Sequence, residues 1–322
     1  MKRTLRVVAT LGFLMAVAAP VAWAYDLDRE MLELENKGQY AEAIATLQSI
    51  LSSRTDHSGN WRQLTIRLAD CYEGVGQFRK ARAQWYDVYA SEQERWDGER
   101  KEALLRRQAG ESVYNALLPP EDELPRRWLE DATRIAICDC LAGDAAAGTK
   151  GLDTSVAQCR KLFDAEISSP GLAGLVYLDA LRWQDSLVQG YAVQAVCRLR
   201  AGKQNEVAVG GQAALDVIRE CRNDHFRDEA IRASHALMGP SGTNTGLDKF
   251  FELNFEYARS YDPQKECLSM ARGFLEKKRY YLACFWYDAA QRFSGSVPWV
   301  NISEEAERCK QLLPKGTDTP KS

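Results

Sequence analysis

The segment Gly38-Gln39-Tyr40-Ala41-Glu42-Ala43 recurs as Gly76-Gln77-Phe78-Arg79-Lys80-Ala81, 38 residues further along the chain. Each copy has a glycine, an aromatic residue two positions later and an alanine five positions later. Glycine adopts the left-handed conformation that commonly ends a helix, and a small residue lets two helices approach closely. Periods of about 20–50 residues are typical of stacked helical units. The repeat therefore predicts helix hairpins joined by tight turns.

Apolar residues on both sides of these turns recur with the 3.6-residue period of a helix, and strand-type alternation is scarcely visible. The stripe Leu27, Met31 and Leu34 precedes the first turn, for example, and Phe78 and Trp85 follow the second. We therefore expect an all-α chain, built as a solenoid of antiparallel helix pairs.

The turns resemble the tetratricopeptide repeat, a helix-turn-helix family with a Gly-x-aromatic-x-x-Ala turn. The residues that carry the resemblance are Gly38, Tyr40 and Ala43 in the first unit, Ala69, Tyr72, Gly76, Phe78, Ala81 and Trp85 in the second, and Ala271, Phe274, Tyr280, Ala283, Tyr287 and Ala290 in a third. The matches cover residues 25–92 and 264–313, less than half of the chain. The resemblance implies a right-handed superhelix of the kind found in exported bacterial members of the family.

The third unit departs from the pattern because Lys278 replaces the turn glycine. This replacement predicts a distorted or differently capped turn. A frame one residue earlier, which aligns Trp286 with Trp85, is an alternative for the same unit.

The chain divides into five predicted segments. Residues 1–24 form a signal peptide, 25–118 the N-terminal repeats, 119–238 degenerate helical repeats, 246–313 a C-terminal repeat with a capping helix, and 314–322 a disordered tail. The Gly- and Pro-rich run from residue 239 to 246 favours an internal boundary. The capping helix is expected to begin after Asn301 or Ser303, because either side chain can cap the start of a helix.

The first 24 residues have the composition of a cleavable export signal. Lys2, Arg3 and Arg6 precede an apolar run that is too short to span a bilayer, and Ala22-Trp23-Ala24 fits a cleavage site. Cleavage after Ala24 predicts a periplasmic or secreted protein without a membrane span, and an uncleaved anchor is the alternative. Loss of three cations changes the net charge from −3 to about −6, which disfavours nucleic acid as a partner.

Nine cysteines follow the predicted cleavage site, so one or more disulfides are expected in an oxidising compartment. The geometry of the last hairpin favours Cys284 with Cys309. The alternative is that most of the cysteines are small buried apolar residues. The pair Cys138 and Cys140 lacks the two intervening residues typical of zinc or redox motifs, so no metal site and no cofactor are predicted.

Motifs for catalysis are missing from the sequence. It has three histidines and contains no nucleophile elbow, zinc-protease motif or dinucleotide fingerprint. We therefore expect a protein that is not an enzyme.

The resemblance implies that a partner protein or peptide binds the concave groove formed by the first helices of the repeats. The residues that match groove positions of the family are Asp28, Leu32, Glu35, Gln63, Ile66, Asp70, Glu73, Lys265 and Arg272. The N-terminal positions are acidic with apolar patches, which predicts a basic or mixed-charge partner; ordinary solvated acids are the alternative.

Two functions follow from these features. The first is a scaffold that organises a complex of the cell envelope through protein contacts. The alternative is an accessory or regulatory subunit that binds a small ligand or metal through its cysteines.

Overall fold

A computed structural model of the protein describes residues 29–52, 60–109, 123–168, 173–238 and 245–314. Every regular element in these ranges is an α-helix, which confirms the all-α prediction. The helices are, in chain order, α1 (residues 29–37), α2 (Tyr40–Ser52), α3 (Trp61–Gly74), α4 (Phe78–Gln108), α5 (Glu123–Leu141), α6 (Ala145–Ile167), α7 (Ala173–Arg200), α8 (Gln204–Cys221), α9 (Asp224–Met238), α10 (Thr245–Ser260), α11 (Pro263–Glu276), α12 (Tyr280–Ala290) and α13 (Trp299–Gln311).

Consecutive helices pack against each other along most of the chain, from α2 with α3 to α12 with α13. The long helix α7 is central: it contacts α5, α6 and α8 through α12. From Trp183 to Cys197 nearly every α7 residue is buried, so this helix supplies the middle of the larger hydrophobic core.

Five helices end in the same backbone arrangement. The ending residues are Gly38, Gly76, Gly143, Gly202 and Lys278, with φ of 74°, 75°, 91°, 77° and 57°. In each case the amide of this residue bonds a carbonyl three positions back, and the next amide bonds a carbonyl five positions back. This is the Schellman motif, and a new helix begins two residues after the left-handed residue each time.

The predictions for Gly38 and Gly76 are confirmed, and the prediction for Lys278 is wrong. Lys278 adopts the left-handed conformation that glycine has in the other four turns, although this costs a residue with a side chain about 1–2 kcal/mol. The turn is therefore regular, and α12 begins at Tyr280 as α4 begins at Phe78. The frame that aligns Tyr280 with Phe78 is the one that the backbone follows.

Small residues five positions after the turn allow the hairpin helices to pack closely. Ala43, Ala81 and Ala283 are fully buried, and the aromatic residues Tyr40 and Phe78 are buried beside the first two. At the third turn Gly148 takes this position, and a Cβ there would lie 2.7 Å from the Ala136 carbonyl oxygen. The turn at Gly143 therefore belongs to the same series.

The C-terminal helices pack back onto the beginning of the chain. Helix α12 contacts both α3 and α7, and Tyr281 of α12 belongs to the smaller hydrophobic core, which α1 to α4 otherwise dominate. The Tyr281 ring meets Phe78 edge-on at a centroid distance of 5.3 Å. The C-terminal repeat therefore packs against the two N-terminal repeats.

Helix α13 begins at Trp299, with Pro298 at the cap position, so the prediction that Asn301 or Ser303 caps it is wrong, and both residues lie inside the helix. By contrast, α11 begins with an effective cap: the Asp262 carboxylate accepts from the amides of Gln264 and Lys265 at 3.0 and 3.3 Å.

The predicted signal peptide, the 239–244 part of the predicted boundary and residues 315–322 of the predicted tail lie outside the described residues. No described helix combines the length and apolar character that crossing a membrane requires.

Two Gly→Ala substitutions of opposite effect test the turn geometry. At Gly202 an added Cβ meets open space but φ is +77°, so Gly202→Ala should lower stability by about 1–2 kcal/mol. At Gly151, inside α6, a Cβ also meets open space, so Gly151→Ala should raise stability by up to about 1 kcal/mol. Urea unfolding followed by circular dichroism measures both. Equal effects would contradict the assignment of the turn.

Candidate functional site

Four charged side chains meet where the predicted N-terminal groove was expected. Asp70 and Glu73 of α3 face Arg134 of α5 and Arg279, which immediately precedes α12. Arg134 Nη2 lies 2.6 Å from Asp70 Oδ1 and 2.7 Å from Glu73 Oε2. Arg279 Nη2 donates to the same two oxygens, at 2.7 Å for Asp70. We refer to these four residues as the ionic cluster.

Two members of the ionic cluster are removed from water, the other two are half-buried, and the charges of the four balance. Glu73 is fully buried and only 6% of Arg279 is exposed. The second oxygen of Glu73 accepts from Trp85 Nε1 at 2.9 Å and from Cys138 Sγ at 3.4 Å. A buried carboxylate is stable when it is both paired and hydrogen-bonded, and Glu73 meets both conditions.

The two arginines of the ionic cluster also lie against aromatic rings, and they lower the pKa of Asp70. The Arg134 guanidinium lies 4.9 Å from the Trp85 ring centroid, and that of Arg279 lies 5.0 Å from the Phe274 ring centroid. Burial alone would raise the pKa of Asp70, but Arg279 and Arg134 outweigh it and hold the pKa below its usual value. The stabilisation that Asp70 provides is therefore present above its unfolded pKa and is lost as the pH falls through the folded value.

The turn between α11 and α12 also touches the turn between α1 and α2. The Tyr40 hydroxyl donates to the Lys277 carbonyl, and burial raises the pKa of Tyr40 to about 12, so the donor stays protonated. Lys278 Nζ donates to the Lys37 carbonyl at 2.7 Å. Together with the ionic cluster, these contacts join the C-terminal helices to the N-terminal helices.

The geometry bears on two of the predicted groove residues. Glu73 is fully buried, Asp70 is half-buried, and both pair with arginines of the same chain. Partner binding by the predicted groove residues stays a prediction. Glu35 is half-buried and bonds Arg67 at 3.0 Å. The remaining predicted positions are Leu32, Gln63 and Lys265, which are exposed, Ile66, which is half-buried, Arg272, which is exposed and bonds Glu305, and Asp28, which lies outside the described residues.

Substitution of Arg279 should destabilise the protein far more than substitution of an arginine on its surface. Arg279→Gln leaves Glu73 short of a partner in a buried site, which should lower the free energy of unfolding by about 3–5 kcal/mol. Arg272→Gln removes an exposed ion pair of the same repeat and should cost less than about 1 kcal/mol. Urea unfolding of both variants measures the difference; similar effects would show that the ionic cluster adds little.

A second buried acid lies between α3, α4 and α5. Asp131 is buried near Glu92, and Arg62 Nε lies 2.5 Å from Glu92 Oε1. Asp131 Oδ2 is buried without a hydrogen-bond partner. Burial, and then repulsion from Glu92, raise the pKa of Asp131 to about 7, while Arg62 and Arg127 oppose this and Glu130 adds to it.

The pH dependence of stability should change when Asp131 is neutralised. A raised folded pKa means that the folded protein holds a proton that the unfolded chain releases near pH 4. This contribution is complete below about pH 4 and is lost as the pH rises to about 7, with a slope of up to about 1.4 kcal/mol per pH unit. Asp131→Asn should flatten the profile of unfolding free energy over this range, whereas an unchanged profile would contradict the shift.

A groove of about 570 Å³ lies between α6 and α8, with α7 as its floor. Val156 and Ala157 contribute apolar surface from α6, Tyr191 from α7, and Val209 and Ala213 from α8. Gly210 brings α8 close to the floor, since a Cβ there would lie 3.4 Å from the Tyr191 carbonyl oxygen. We call this space the α6–α8 groove.

Ion pairs fix the charged residues of the α6–α8 groove. Arg160 Nη2 lies 2.8 Å from both carboxylate oxygens of Glu220, and Arg160 Nε lies 2.7 Å from Asp164. Arg198 Nη2 bonds Asp153 at 3.0 Å. The groove therefore combines apolar surface, most of it from α6 and α8, with charges of both signs in fixed positions. The sequence did not indicate it, because its lining residues come from three helices without a shared motif.

All nine cysteines are buried free thiols in this structure. Cys284 Sγ and Cys309 Sγ lie 2.9 Å apart, so the structure brings this predicted pair together, and the bond between them stays a prediction. The hydrogen bond between the two sulfurs lowers the pKa of Cys309 and raises that of Cys284. In the part of the chain that the structure describes, no group of three or more His, Cys, Asp or Glu is placed to hold a metal ion.

Comparison of the chain with models of known protein families gives no match, and a search of curated proteins finds no similar sequence.

Proposed function

We propose that the chain is a non-enzymatic interaction protein of the tetratricopeptide-repeat kind, exported to the periplasm or secreted, that binds a helical segment of a partner protein. The five matching helix ends support an arrangement as a right-handed superhelix of helix pairs. The signal-like composition of residues 1–24 supports export. The observation that carries the proposal is the α6–α8 groove, because the ionic cluster already fills the N-terminal site.

A helix is the partner element that fits the α6–α8 groove. Two helices that flank a third leave a channel in which a further helix can lay an apolar face. Val156, Val209 and Ala213 supply the apolar contact, while Lys161 and Asp164 stand at the rim. The partner segment in this proposal is amphipathic, with a narrow apolar stripe and charges of both signs beside it.

Site-specific photo-crosslinking tests this function with a matched pair of positions. Val209 lies in the groove and Val300 lies on α13, and both are 62% exposed. With a photoreactive phenylalanine analogue in cells, position 209 should give a discrete protein adduct that position 300 does not give. The adduct should disappear when Ala213→Arg fills the groove.

Purified components then decide whether the adduct reports binding. The segment of the captured protein should bind the purified chain, and Ala213→Arg should weaken binding at least about tenfold, which corresponds to about 1.4 kcal/mol. Val300→Arg should leave it unchanged. Identical adducts from both positions, or binding that is insensitive to Ala213→Arg, would contradict the proposal. A groove of this size also falls in the range of small-ligand sites, and a small ligand would give no protein adduct.

A further inference from the structure

Two cysteines from distant parts of the sequence lie side by side in the larger core. Cys140 is near the end of α5 and Cys197 is near the end of α7, and both are buried. Cys197 Sγ donates to the Ala136 carbonyl oxygen at 3.7 Å. Ala136 lies one helical turn before Cys140, and residues four apart share a helix face. The Cys197 sulfur is therefore beside the Cys140 side chain.

The surroundings of Cys140 favour its thiolate. The neighbouring Cys197 thiol lowers the pKa of Cys140, and Arg200 lowers it further against the effect of burial. Arg200 is itself held by Asp288 at 2.8 Å. An attacking sulfur with thiolate character next to a second thiol is the arrangement from which protein disulfides form.

We propose that Cys140 and Cys197 are a site of disulfide formation that joins α5 to the central helix α7. The oxidant is a disulfide, either of a protein thiol oxidase or of a small molecule such as oxidised glutathione. The Cys140 thiolate attacks one oxidant sulfur, forms a mixed disulfide and releases the other sulfur as a thiolate. Cys197 then loses its proton and attacks the Cys140 sulfur, which releases the second oxidant thiol. The protein loses two protons and two electrons, and the oxidant gains them.

Cys138 provides an internal contrast on the same helix. It is two residues from Cys140, points to the smaller core and donates to Glu73. Burial raises the pKa of Cys138 well above its usual value, and the Glu73 carboxylate adds to this. Cys138 is therefore expected to remain a thiol when Cys140 is oxidised.

Peptide mapping of the full chain tests the site without reference to any partner. Reduced protein is refolded from urea with oxidised glutathione, then unfolded in urea that contains N-ethylmaleimide so that every remaining free thiol is alkylated, and digested with trypsin without reduction. The expected product is a cross-link between the peptides 135–150 and 183–198, with maleimide on Cys138. The Cys284–Cys309 bond is scored separately in the same digest.

Variants assign the sulfurs within the shared peptide. The cross-link should persist in Cys138→Ala and be lost in Cys140→Ala, while Cys267→Ala controls for removal of a buried thiol elsewhere in the core. Maleimide on both Cys140 and Cys197 of the refolded wild-type protein would overturn the proposal, and so would a cross-link that persists in Cys140→Ala. The wild-type digest decides the matter even if a variant does not fold.

Discussion

The pairing of buried carboxylates with buried guanidiniums is the constraint on which the rest of the structure depends. Removing Glu73 from water is unfavourable by several kcal/mol unless its charge is paired and its oxygens are bonded. Arg134 and Arg279 supply the pairing, and Trp85 and Cys138 supply the remaining bonds. Because Arg279 belongs to the last repeat, satisfying Glu73 requires the C-terminal helices to return to the N-terminal repeats.

The acids of α3 are satisfied within the chain. Asp70 and Glu73 pair with Arg134 of α5 and with Arg279 at the start of α12, so the proposed partner site uses another surface. In the α6–α8 groove, Arg160 pairs with Glu220 of α8 and Arg198 pairs with Asp153 of α6, and the space between the helices stays open. The ionic cluster thus fills the space beside α3, whereas the ion pairs of the α6–α8 groove line a space that stays open.

The sequence predicted the local geometry well because that geometry depends on neighbouring residues. Gly38 and Gly76 mark turns that need positive φ. The turn at Gly143 was not recognised as one of the series, because Ala145 replaces the aromatic residue and Gly148 replaces the alanine. The position of Arg279 against Glu73 was not predictable, since 206 residues separate them and each reads alone as an ordinary charged residue of an exposed helix face. The two cysteine pairs differ in predictability for the same reason. A single hairpin brings Cys284 and Cys309 together, whereas Cys140 and Cys197 meet only after α5 packs on α7.

A double-mutant cycle on Glu73 and Arg279 tests most directly whether the ionic cluster joins the two ends of the protein. The free energy of unfolding is measured for the wild type, Glu73→Gln, Arg279→Gln and the double variant. A direct buried contact predicts a coupling energy above about 2 kcal/mol, because the second substitution costs little once the first has broken the pair. Additive effects within about 0.5 kcal/mol would show that the two side chains do not interact and would contradict the account.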